Sequence, residues 1–131
     1  MKRPQTIHEE RLNAFSHFLG ILFCLTAIPI VLVGIYDAKD LTPFFSVLTF
    51  GMGMLLVYTF STLYHAARSE RMKDLLQIAD HISIYFLIAG TYTPLMARYL
   101  KPDLAMLFLG VMWSIVAVGV VFKLFFTKRF K

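Results

Sequence analysis

Between Arg11 and Asp37 the chain runs 25 residues without a formal charge, and between Asp40 and Arg68 another 27. A third stretch, 75 to 97, holds 23 residues and one charge, Asp80, and a fourth, 104 to 122, holds 19 and none. A helix rises ~1.5 Å per residue, and ~20 apolar residues cross the hydrocarbon core of a bilayer, so each run is long enough to span. Four such runs in 131 residues leave too little polar surface to cover them as buried helices of a soluble protein. The first is too long, and follows too acidic a stretch (Glu9, Glu10), to be a removable signal peptide. The expected fold class is therefore all-α: a polytopic helical membrane protein, one transmembrane domain over 1–131, with helices at about 12–36, 43–67, 75–98 and 103–126.

Composition agrees: 58% of residues are hydrophobic and 16% charged, against about a quarter charged in soluble domains. Disorder and a disulfide scaffold are excluded, and Cys24 inside an apolar run reads as a lipid-facing or packing residue. The loops Asp37 to Thr42 and Arg68 to Asp74, with Pro43 and Pro102 as helix-start signals, predict an antiparallel bundle. Gly51, Gly53, Gly110 and Gly119 mark candidate close approaches between helices. Lys2, Arg3, Arg11, Arg68, Arg71, Lys73, Lys123, Lys128, Arg129 and Lys131 fall on one side of this topology, and only Lys39, Arg98 and Lys101 on the other. The positive-inside rule then puts both termini in the cytoplasm, and the net charge of +5 reports topology and anionic lipid contact rather than nucleic acid.

That topology assigns the polar residues a depth. Ser61 and His65 lie in the last turns of the second helix, Asp80 near the start of the third, and Glu10, Asn13 and His17 at the entry of the first, all toward the same side. Ser61 and His65 share a helix stripe, as do Asn13 and His17. A carboxylate inside a span is costly and normally faces a partner or a wet cavity, which makes Asp80 informative. Imidazole is a good zinc ligand and a nearby carboxylate can accept a proton from water on the metal. By spacing alone, a zinc site and an ion or proton path are equally open.

The stretches Glu9-Glu10-Arg-Leu-Asn13-Ala-Phe-Ser16-His17-Phe-Leu-Gly20, Ser61-Thr-Leu-Tyr-His65 and Asp80-His-Ile-Ser-Ile-Tyr85-Phe-Leu-Ile-Ala-Gly90-Thr-Tyr-Thr-Pro94 resemble the hemolysin III family of the progestin and adipoQ receptor (PAQR) superfamily, whose wider relatives include alkaline ceramidases. The ending, from Trp113-Ser114 to Lys128-Arg129-Phe130-Lys131, is similar to the fourth helix of bacterial members. The resemblance implies a seven-helix core. It also implies a zinc held by His65, with Ser61 accompanying it, Asp80 beside the zinc-bound water, and two further ligands from a His-x-x-x-His motif in a seventh helix. The chain's histidines stand at 8, 17, 65 and 81, so that motif is absent and two of three expected ligands are missing. The expectation is a fragment, or a protein completed by another polypeptide or an oligomer, inactive alone.

Three functions follow as expectations. The first is the N-terminal part of a zinc-dependent hydrolase of the plasma membrane, cutting amide or ester bonds of membrane lipids, with Asp80 and Ser61 catalytic, His65 a metal ligand, and Glu10, Asn13 and His17 a supporting polar layer. The second is a membrane-perturbing cytolysin. The third is a non-catalytic signalling or structural membrane protein.

Overall fold

The computed structural model describes residues 5–126, so Lys2, Arg3, Lys128, Arg129 and Lys131 of the basic count, and the end of the fourth-helix resemblance, lie outside them. Four helices follow one another: α1 (Ile7–Ile35), α2 (Thr42–Ala66), α3 (Glu70–Tyr99) and α4 (Pro102–Phe126). α1 opens five residues before its charge-free run because Thr6 caps it. The Thr6 hydroxyl accepts from the Glu9 amide at 3.3 Å, and the Glu9 carboxylate accepts from the Thr6 amide at 2.7 Å, a capping box that satisfies two otherwise orphan donors. Asp37 and Asp40 shape the first loop by accepting from the amides of Lys39 and Thr42, both at 2.9 Å. The Thr42 amide and hydroxyl hold the exposed Asp40 carboxyl below the usual aspartate range.

α1, α2 and α4 are long and apolar enough to cross a membrane. α3, with 30 residues, is longer than any of them, but Asp80 and polar residues such as Gln77, His81, Thr91 and Thr93 inside its 75–97 run leave it less apolar than the other three. It nevertheless packs antiparallel between α2 and α4. The helices form an open row, α1 on α2, α2 on α3 and α3 on α4, the α2–α3 seam being the most extensive. The expected antiparallel arrangement is thus present as an open row: among the described residues α1 and α4 make no substantial contact.

Small residues make the seams. A Cβ at Gly53 would stand 3.0 Å from the Leu87 Cα, and one at Gly90 would stand 3.0 Å from the Thr49 carbonyl oxygen and 3.2 Å from the Phe50 Cα, so the backbones of α2 and α3 touch. A side chain at Gly51 would meet Ile28 of α1 at 2.9 Å, and the Tyr58 ring covers Gly20. Gly119 lies at ordinary contact distance from Tyr85, whereas Gly110 faces open space and does not mark the close approach expected of it. Cys24 is fully buried, a packing residue. Large apolar side chains such as Phe23, Ile30, Met106 and Phe125 point outward, as they do where the solvent is lipid. Their hydroxyl-bearing neighbours are returned to the backbone: Thr26, Thr49, Thr62, Thr91, Thr93 and Ser114 each donate to a carbonyl four residues earlier, which hides the polar group inside its own helix.

α3 continues through Pro94 to Tyr99, so no early end occurs there. Pro94 has no N–H for the Gly90 carbonyl, and the helix is held by its seam with α2. Gly90→Leu should therefore cost about 1–3 kcal/mol, the usual price of overpacking against atoms that cannot retreat. Gly110→Ala, with nothing in its way, should leave stability unchanged or slightly raised. Thermal unfolding in detergent distinguishes the two; equal melting temperatures for both variants would refute the seam's role.

Candidate polar site at the shared end of the helices

The first turns of α1 and α3 and the last turn of α2 meet at one end of the row. There Glu10 of α1 bridges two cationic or potentially cationic groups. Its Oε2 lies 2.7 Å from Nδ1 of His65, and its Oε1 pairs with the Lys73 ammonium. The side chains are mostly shielded, 15% exposed for Glu10, 12% for His65 and 27% for Lys73, which strengthens the pairing relative to open water. Aromatic rings pack round it. Lys73 Nζ is 5.6 Å from the Tyr64 ring centre, the Tyr64 and His65 rings are 4.9 Å apart, and the His17 ring lies 5.8 Å from His65 and edge-on to Tyr58 at 5.9 Å. Beside the cluster opens a cavity of about 600 Å³ bounded by Arg11, Arg68, Glu70 and the three paired residues.

The α2–α3 seam sets what stands level with what. Gly53 meets Leu87 and Gly90 meets Phe50; the same antiparallel register continued places His65 level with Leu75 and Ser61 level with Ala79 and Asp80. The expected polar layer is therefore two-tiered. Glu10, His65 and Lys73 form the outer tier. Ser61 and Asp80 belong to an inner one, about 6–8 Å deeper than His65 at ~1.5 Å per residue. Asn13, three residues into α1 from Glu10, also sits below the outer tier, and His17 lies a further turn in.

Each expected site residue can now be located. His65 is at the mouth with Glu10 on its Nδ1. Ser61 is buried at 5% exposure, and among the described residues its hydroxyl makes no hydrogen bond, unlike the back-bonded threonines. Asp80 is half-buried; its backbone carbonyl accepts from Ser83 Oγ at 2.6 Å, while its carboxylate has no hydrogen-bond or ion-pair partner among the described residues. The buried Nδ1 atoms of His17 and His81 are likewise without partners. Asp80 does not reach His65, because the seam puts it five residues too deep. Lys73 takes that place, and its part in the site went unnoticed in the sequence, where it counted only toward topology. Its signal was position: it precedes the third apolar run at the same end as Glu10 and His65.

Among the described residues no three His, Cys, Asp or Glu side chains lie close enough to hold a metal ion. One donor does suit a metal. The Glu10 carboxylate engages His65 Nδ1, which in the neutral ring leaves Nε2 with the lone pair, the arrangement that orients metal-binding imidazoles. A complete zinc site does not fit these residues alone.

Antiparallel apolar helices, hydroxyls folded back onto their own backbones and a polar cluster confined to one end define a polytopic helical membrane protein. The family model of haemolysin-III related proteins matches residues 5–131, and the chain belongs to that family. It is 42% identical over 125 residues to the hemolysin-3 homolog of Bacillus subtilis (strain 168), covering 95% of this chain and 59% of the relative. It is 34% identical over 129 residues to hemolysin-3 of Bacillus cereus, covering 98% and 59%. The chain thus spans about three fifths of the length of these curated relatives. No solved structure matches it.

The tether can be measured directly. Glu10→Gln should lower stability by about 1–2 kcal/mol, less than a fully buried pair because solvent still screens it. Lys73→Met on the Glu10→Gln background should cost less than on the wild type, since both remove the same interaction. Strict additivity in that double-mutant cycle would show that the two do not communicate.

Proposed function

We propose that the chain supplies one ligand and the proton-handling groups of a zinc-dependent membrane hydrolase acting on amide or ester bonds of membrane lipids in the plasma membrane, with both termini cytoplasmic. The observation that carries this reading is the 2.7 Å contact between Glu10 and His65 Nδ1. A carboxylate on one imidazole nitrogen makes the other a better and better-aimed donor, and Lys73 keeps that carboxylate in place. Zinc, when bound, supplies a Lewis acid for the scissile carbonyl. The further ligands belong to parts of the whole protein beyond the residues described.

One tier deeper, Asp80 has no competing cation, so its carboxylate is available to accept a proton from the attacking water and return it to the leaving group. The Ser61 hydroxyl, level with it and not spent on its own helix, can donate to a substrate oxygen. On the α1 side the His17 ring lies 5.8 Å from that of His65, which keeps the surroundings of the imidazole polar. Membrane lipid is the natural substrate class because the site opens at the end of apolar helices whose outer faces are exposed.

The test is zinc content and lipid hydrolysis of the whole protein. His65→Ala should remove most of the metal, and Glu10→Gln should weaken zinc binding about 10–100-fold, the usual effect of losing an orienting partner. Zinc bound as tightly in His65→Ala as in wild type would remove the metal reading. Asp80→Asn should abolish hydrolysis while the protein still inserts and retains zinc; full activity in that variant would refute Asp80 as the proton acceptor. A second reading, membrane lysis, is favoured by the names of the two Bacillus relatives, hemolysin-3 homolog and hemolysin-3. Dye release from liposomes by purified protein, undiminished in Asp80→Asn, would support it over hydrolysis.

A further inference from the structure

The cavity beside the Glu10 cluster carries more positive charge than its pairing consumes. Its walls hold Arg11, Arg68 and Lys73 against Glu10 and Glu70. Lys73 is committed to Glu10, which leaves two guanidinium groups facing one carboxylate. Arg11 comes from the second turn of α1 and Arg68 from the loop between α2 and α3, so they approach the space from different elements. Neither has a hydrogen-bond or ion-pair partner among the described residues. Guanidinium forks match the paired oxygens of a phosphate.

The remaining walls are mixed: Gln5 and His65 are polar, and Ile7, Ala14, Ala66 and Ala67 make an apolar margin. Ile7 and Ala14 line the α1 side, and next to them the outer face of α1 exposes Leu12 and Phe15, at 68% and 61%. Inorganic phosphate would satisfy the two arginines and leave this apolar margin unused. A lipid carrying phosphate satisfies both at once. We propose that this cavity binds the headgroup of an anionic phospholipid, with its phosphate between Arg11 and Arg68 and its acyl chains along the exposed face of α1. The excess of cations selects an anionic over a zwitterionic headgroup, and the location at the end of the apolar spans puts the phosphate where a bilayer carries its own. This binding goes beyond the hydrolase reading and needs neither metal nor turnover.

The full chain, reconstituted in phosphatidylcholine nanodiscs containing a minor share of phosphatidylglycerol, is released into the gas phase and the lipids that stay bound are identified by native mass spectrometry. Wild type should retain phosphatidylglycerol over phosphatidylcholine about tenfold relative to the bilayer's composition. In Arg11→Gln/Arg68→Gln that preference should fall to near parity, and in Arg98→Gln/Lys101→Gln, at the opposite end, it should persist. Excess inorganic phosphate should not displace the lipid. Equal retention of the two lipids by wild type, an unchanged preference in the arginine variant, an equal loss in the opposite-end variant, or displacement by inorganic phosphate would each overturn the proposal. If the double variant does not fold, Arg68→Gln alone, in an exposed loop, should lose several-fold of the preference, and no loss there would overturn it as well.

Discussion

The backbone contact between α2 and α3 at Gly53 and Gly90 governs the arrangement of this protein. In a bilayer there is no hydrophobic drive to bring apolar helices together, since lipid solvates their side chains as well as a neighbouring helix does. Close packing must supply the attraction, and it is strongest where no side chain intervenes. Two glycines on facing helices, each set against the other's main chain, lock both the separation and the axial register. From that register follow the position of Lys73 just outside the level of His65, within reach of Glu10, and the level of Asp80 with Ser61. Were the seam displaced by one turn, a different set of polar groups would meet.

The outward surface obeys the same solvent. Few side chains are fully buried, and those that are, such as Cys24, Ser83 and Ala89, are small. The large aliphatic and aromatic residues face out, and six hydroxyls inside the helices are folded onto their own backbones. The polar groups without such a local outlet gather at one end, where three helices converge. Hydrogen bonding of Glu10 to His65 and its ion pair with Lys73 there join the ends of α1, α2 and α3, and so work with the glycine seam: one holds the helices side by side, the other ties their mouths.

Much of this was legible residue by residue. The charge-free runs announced four long helices, and the Thr6–Glu9 box explains why the first begins earlier than its apolar run does. Pro43 and Pro102 stood at helix starts as their missing amides require. Gly51 and Gly53 announced close approaches, but Gly110, of the same residue type in an equally apolar helix, packs against nothing; a glycine in a sequence does not say which face it lies on. The polar residues were recognisable as a group sharing one end. Their division into two tiers was not, because depth counted from a helix end ignores the register with which neighbouring helices slide past one another.

The sequence by itself determined the class of solvent, the number of long helices and the inventory of groups able to do chemistry, because uninterrupted apolar length and the cost of a charge in hydrocarbon act locally along the chain. The seam between α2 and α3 decided which of those groups meet. It brought Lys73, which had counted only toward topology, to the carboxylate that orients His65. It also held Asp80 a tier below. Partnership of that kind depends on atoms far apart in the chain, Glu10 and His65 being separated by 55 positions, and only packing in three dimensions brings them within a hydrogen bond.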